Sequence, residues 1–182
     1  MNTETLYLII IGIFLVAIFF GAYAYLRYRR NNPEMAKLER YAMIIVAGVE
    51  RMYQLNAIAD NKRLDTAIEQ LLLAYPVLKR YHTETRLLIE AALWLLKNSP
   101  TINLQTALNS DDIGSYALTV VTGIEQMYAK ATDVTESRRM REAIAALEAK
   151  YPELTKTYNQ ARIYIEAAYL LITLNRNTIT NG

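Results

Sequence analysis

The sequence predicts an all-α protein: one N-terminal transmembrane helix followed by two tandem three-helix repeats packing as a helical bundle. Three observations predict it. A long uncharged run lies within the first thirty residues. Beyond it, apolar residues recur at spacings of three and four, alternation is absent, and only 6 of 182 residues are glycine. Finally, YAMIIVAGVERMY, Tyr41 to Tyr53, returns 75 residues later as YALTVVTGIEQMY, Tyr116 to Tyr128, with seven of thirteen positions identical. The implied division is an anchor over 1–30, a first repeat over 31–97, a linker over 98–111, a second repeat over 112–175 and a tail over 176–182.

The uncharged run is LYLIIIGIFLVAIFFGAYAYL, Leu6 to Leu26, 21 residues. As a helix it extends roughly 30 Å, the thickness of a bilayer core. A cleaved signal peptide is the alternative: Ala22-Tyr23-Ala24 resembles a cleavage site. Against that, no basic n-region precedes the run, and the run exceeds a usual h-region. The retained anchor is the preferred reading. Arg27, Arg29 and Arg30 follow it directly, and a basic flank stays in the cytoplasm. The expected location is therefore the cytoplasmic (inner) membrane, single-pass, with the N-terminus out and the C-terminal domain cytoplasmic. Ala17 and Gly21, four apart, share a face on which two helices can approach closely.

The repeat continues past the opening string with one inserted residue. Ala67-Ile68 returns as Ala143-Ile144, Tyr75-Pro76 as Tyr151-Pro152, and RLLIEAA at Arg86 as RIYIEAA at Arg162. In each copy a first helix carries an apolar stripe, in copy one Leu38, Tyr41, Ile45, Val49, Met52 and Tyr53. Asp60 or Asn61 offers a cap for the second helix; in the second copy Ser110, Asp111 and Asp112 offer caps for the first helix, and Asp133 or Thr135 for the second. Pro76 either ends the second helix or starts the next turn. The third helix is expected over about 84–97, with Leu88, Ala91, Ala92 and Leu95 inward. Within the linker, INLQTAL suits a short helix started by Pro100. A unit of about sixty residues is marginal alone. Two copies are expected to share one core, about a pseudo-two-fold axis.

Gly48 and Gly123 sit mid-helix in both copies, where glycine costs about 1 kcal/mol relative to alanine. Close helix approach is the expected reason. Glu50 with Glu125, and Glu90 with Glu166, are the charges both copies keep. Partner contacts or a carboxylate cluster are one reading. Ion pairs are the other, since Arg86 and Arg162 each stand four residues before the later pair. No catalytic, cofactor-binding or metal-binding set emerges. Cysteine is absent, which removes thiol chemistry and disulfides, and His82 is the only histidine. HExxH, P-loop and GxGxxG patterns are missing. A net charge of +2 gives no reason to expect nucleic acid.

Together, one span, an "A…V…GVE" helix (Ala42, Val46, Gly48, Val49, Glu50) and an "IEAA" helix (Ile89, Glu90, Ala91, Ala92) resemble holins of the LL-H phage type. That family carries one such soluble unit, and this chain has two. The resemblance implies a protein that oligomerises in the lipid bilayer and permeabilises it during host lysis, with no enzymatic activity. The alternative is a non-lytic, membrane-tethered helical adaptor that offers a cytoplasmic surface to a protein partner.

Overall fold

The computed structural model describes residues 33–129, 134–157 and 159–180. The chain divides into two compact units, Met1–Leu38 and Glu39–Gly182. The first contributes only the opening of a helix to the described residues. The predicted anchor, its packing pair Ala17 and Gly21, and its flank Arg27, Arg29 and Arg30 lie outside them. Among the described residues no helix is long and apolar enough to cross a membrane.

Among the described residues every regular element is helical. We label the α-helices α1 (Pro33–Gln54), α2 (Arg63–Ala74), α3 (His82–Asn98), α4 (Pro100–Asn109), α5 (Asp112–Met127), α6 (Glu136–Lys150) and α7 (Gln160–Thr180). Single 3-10 turns occur at Asp60–Lys62, Pro76–Arg80 and Pro152–Lys156. The order α1–α2–turn–α3 is thus echoed by α5–α6–turn–α7, with α4 between.

Local chemistry explains most boundaries. Asn56, at φ 56°, turns the chain in the left-handed region that asparagine tolerates, just beyond α1. Pro76 and Pro152 open equivalent 3-10 turns, where a missing N–H costs nothing. Pro100 opens α4 in the same way and forces Ser99 out of the helical region, ending α3. Asp111 caps α5, its Oδ1 accepting from the Gly114 N–H at 2.8 Å. Thr135 caps α6 by accepting from Arg138 N–H at 3.3 Å. Neither Asp60 nor Asn61 caps α2, which starts after a 3-10 turn without a side-chain cap. Asp60 instead accepts from the Arg63 guanidinium at 3.0 Å.

The core of the Glu39–Gly182 unit centres on α7. From Ala161 to Leu171 only Arg162 keeps appreciable exposure, so this helix is covered on every side. It packs on α4, α5 and α6. On its remaining side lies α1, at the Gly48–Ile163 crossing. The segment between the two echoing halves contributes to the core through Leu104, Ala107 and Leu108 of α4. Gly114 lets α5 start against α4: a Cβ there would stand 2.9 Å from the Leu108 carbonyl oxygen.

The sequence pattern misplaced the inward face of α3 by one position. Ile89, Ala92 and Leu96 are buried, Leu88 is half-buried, and Ala91 and Leu95 are exposed. Apolar residues surround nearly the whole of α3, so periodicity did not distinguish the covered side.

Candidate functional site

Each half is braced by the same three side chains. In the first, the Arg63 guanidinium of α2 pairs with Glu50 of α1 and lies 4.2 Å over the Tyr53 ring. In the second, Arg139 of α6 pairs with Glu125 of α5 at 3.2 Å and lies 6.0 Å from the Tyr128 ring centroid. The conserved glutamates are thus answered by an arginine from the neighbouring helix. Sequence reading missed that arginine, although Arg63 and Arg139 keep the same register as Ala67 and Ala143 and so recur in both copies. Ring pairs match too. Tyr41 meets Tyr75 edge-on at 5.5 Å, and Tyr116 meets Tyr151 at 5.8 Å. Such geometry is worth about 0.5–1.5 kcal/mol beyond burial.

The other shared pair diverges. Glu90 accepts from Arg86 at 2.9 Å on open surface. Glu166 accepts from Arg162 at 3.4 Å and is fully buried, at 0 % exposure. Its second neighbour is Arg51 of α1, at 3.9 Å, which also reaches Glu136 of α6 at 3.0 Å. Burial raises the Glu166 carboxyl above its ordinary value, against the pull of Arg162 and Arg51. One half's first helix is therefore tied by charge to two helices of the other half.

The same junction holds a tyrosine cluster. Gln160 of α7 donates to the Tyr41 hydroxyl at 2.8 Å, and the Tyr164 ring lies 5.9 Å from Tyr41. Burial pushes both phenols far up, and the Asp111 carboxylate adds to each. They remain neutral across the physiological range. Beside this cluster, Arg51, Glu125, Glu136, Arg139, Tyr169 and Arg176 line a cavity of about 320 Å³. Burial pushes the Tyr169 phenol up to about 12, with Glu125 adding to it. Each of the three arginines here pairs with one of the two glutamates: Arg51 with Glu136, and both Arg139 and Arg176 with Glu125. Among the described residues, the buried Arg51 Nε, Arg139 Nε, Glu166 Oε2 and Tyr169 hydroxyl oxygen have no hydrogen-bond partner.

The two conserved glycines also part company. A Cβ on Gly48 would stand 2.6 Å from the carbonyl oxygen of Ile163 and 3.0 Å from its Cα. Only glycine permits this approach of α1 to α7. Around Gly123 no described atom lies within 4 Å of an added Cβ. Close approach within the chain therefore accounts for Gly48 and does not account for Gly123.

That difference exposes a surface. The residues of α3 equivalent to Ile163 and Leu170 are Leu87 and Trp94, which are 59 % and 64 % exposed. Ala91 lies between them, Leu95 beside them, and Ile102 of α4 adds a further exposed apolar side chain. Sequence reading passed over this face, because Leu87 and Trp94 look like ordinary core positions in an apolar helix. His82, the sole histidine, stands at the start of α3 beside the 3-10 turn. Among the described residues no group of three or more histidine, aspartate or glutamate side chains is arranged to hold a metal ion. Compared with family models, curated proteins and solved structures, the chain finds no match in any of the three.

Proposed function

We propose that the chain is a membrane-tethered helical scaffold without enzymatic activity. A single span at Leu6–Leu26 holds two tandem helical units on the cytoplasmic side, and the apolar face of α3 and α4 engages a protein. The observation that carries this reading is the exposure of Leu87, Trp94 and Ile102 on adjacent helices. Clustered apolar side chains of this size on a surface mark contact sites, and tryptophan is the commonest kind of anchor in them.

A second reading is holin-like: oligomerisation in the bilayer and its permeabilisation. The motifs around Gly48–Glu50 and Ile89–Ala92 favour it by resemblance. The composition of Leu6–Leu26 weighs against it, since that run offers no ionisable residue and no polar stripe to line a water-filled hole. Membrane potential in bacteria separates the two after induction of the full chain, with a Leu6–Leu26 deletion beside it. The scaffold reading expects a steady potential at good expression and membrane-fraction protein that needs the run. A sudden collapse of potential that requires the run overturns it in favour of the holin-like reading.

A further inference from the structure

The junction between the two halves is one-sided. The first helix of the first half receives the third helix of the second half: Gly48 of α1 admits Ile163 of α7. A two-fold arrangement requires the reciprocal contact, Gly123 of α5 with Leu87 of α3. Among the described residues that contact is missing, because Gly123 faces open space and Leu87 is exposed. The sequence repeat is thus mounted in head-to-tail fashion. Such an arrangement leaves one unused donor face and one unused acceptor face. The donor is the apolar side of α3: Leu87, Ala91, Trp94 and Leu95 correspond to Ile163, Ala167, Leu170 and Leu171, all four of which are buried in α7. The acceptor is the open side of α5, where Thr119, Thr122 and Gly123 correspond to Ile44, Ala47 and Gly48. Met127, at 70 % exposure, stands where its equivalent Met52 is buried.

The acceptor has the profile the junction needs. The Thr119 and Thr122 hydroxyls donate back to the Ser115 and Leu118 carbonyls at 3.0 and 2.8 Å. Their hydrogen bonds are thereby met within the helix, which leaves the side around Gly123 with no unmet side-chain donor from these two residues. Gln126 replaces Arg51 at the equivalent position, and Glu90 replaces Glu166. An uncharged amide thus meets a carboxylate that already has its own arginine.

We infer that chains associate head to tail, the α3 face of one copy docking on the Gly123 face of α5 in a second copy and reproducing between chains the Gly48–Ile163 junction within each. The contact is heterologous, so it propagates from chain to chain rather than closing as a symmetric pair. The inference rests on the scaffold reading and names the occupant of its contact face.

The chain contains no cysteine and a single tryptophan, Trp94, so two clean probes are available. A Cβ on Gly48 lies 3.0 Å from the Ile163 Cα. Residues 123 and 87 of docked neighbours then fall within disulfide reach. Full chains carrying Leu87→Cys and Gly123→Cys separately are mixed in membranes and oxidised. Both sites are open, so the substitutions leave the fold intact. The inference expects a covalent dimer from the mixture, little from either variant alone, and a ladder from the double variant. Trp94→Lys on the Leu87→Cys chain should lower the cross-link yield about tenfold or more, the scale of a central aromatic anchor. Dimers from Leu87→Cys alone, in the yield of the mixture, mean symmetric pairing and overturn the inference. Absence of any dimer also overturns it. In that case Trp94 emission in the membrane-bound chain decides the parent reading. A blue-shifted, quencher-protected Trp94 means a different occupant and leaves the scaffold reading standing, whereas a water-exposed Trp94 removes both.

Discussion

Alanine at the two mid-helix glycines should move stability in opposite directions. At either site the change removes the helix-propensity cost of glycine, a gain of about 1 kcal/mol. At Gly48 the new methyl would sit 2.6 Å from a backbone oxygen and 3.0 Å from the Ile163 Cα and Cγ2. Two of those three atoms are main chain and cannot swing aside, so α1 and α7 must separate. Overpacking of this kind costs about 1–3 kcal/mol. The same separation lengthens the Arg51–Glu166 approach and the Gln160–Tyr41 hydrogen bond, each a part of the one junction. A net loss of about 1–2 kcal/mol follows for Gly48→Ala. A domain of this size loses about 2–4 °C in Tm per kcal/mol. Gly123→Ala meets no described atom and should keep its gain of up to about 1 kcal/mol. The assay is thermal melting of the full chain in detergent, followed by circular dichroism and kept dilute so that contacts between chains do not contribute. Equal shifts for the two variants, or a Gly48→Ala chain as stable as the wild type, would refute the account of the junction.

Burial raises the Glu166 carboxyl, so the folded chain holds its proton more tightly than the unfolded chain. The stability linked to this group is present below the ordinary carboxyl range and is lost as pH rises through the elevated folded value. Glu166→Gln should therefore melt above the wild type at neutral pH, with the gap closing on acidification; an advantage that grows toward acid contradicts the assignment. Arg63→Ala removes the Glu50 and Asp60 pairs and the cover over Tyr53. A cost of about 1.5–3 kcal/mol is expected in urea unfolding, the range for hydrogen bonds to a charged group. Arg139→Ala should cost about the same in the second half, and it also removes a donor to the Tyr128 carbonyl oxygen. Tyr41→Phe keeps the ring contacts with Tyr75 and Tyr164 and loses only the hydrogen bond from Gln160. About 1 kcal/mol is expected by the same urea titration.

The all-helical class was legible because spacing, scarce glycine and the repeated string agreed. The caps of α5 and α6 were legible as short polar stretches, out of which Asp111 and Thr135 serve, whereas Asp60 caps nothing, because its carboxylate serves Arg63 instead of the helix terminus. The Glu–Arg–Tyr brace was half visible. Glu50 and Glu125 stood out as retained charges, but their partners lie thirteen and fourteen residues away across a turn, beyond any helical spacing rule. Glu90 and Glu166 show the limit of reading two copies as one. Each has its arginine four residues earlier, yet one carboxylate is open and the other fully buried. That difference belongs to the junction, and an internal repeat carries no record of which of its two possible junctions is formed within the chain.

The side chains around the open junction bear marks of that choice. Where α1 meets α7, the first helix offers Ile44, Ala47 and Met52, all buried. At the same places α5 carries threonine, threonine and an exposed methionine. Had α5 been exposed to water alone, the glycine would have no use and would cost about 1 kcal/mol against alanine. Had it been built for a permanent core contact, the threonines would be wholly apolar, as Ile44 and Ala47 are in α1. Small, internally hydrogen-bonded side chains around a retained glycine fit a surface that is alternately wet and covered. The donor side has moved the other way: tryptophan stands where α7 has Leu170, enlarging the apolar anchor. A contact formed between separate chains needs stronger anchoring than one formed within a chain, because association must offset lost translational and rotational freedom. On the inferred head-to-tail association, duplication with one-sided docking supplies both ends of a chain-to-chain contact from a single unit, with the junction inside each chain as its template.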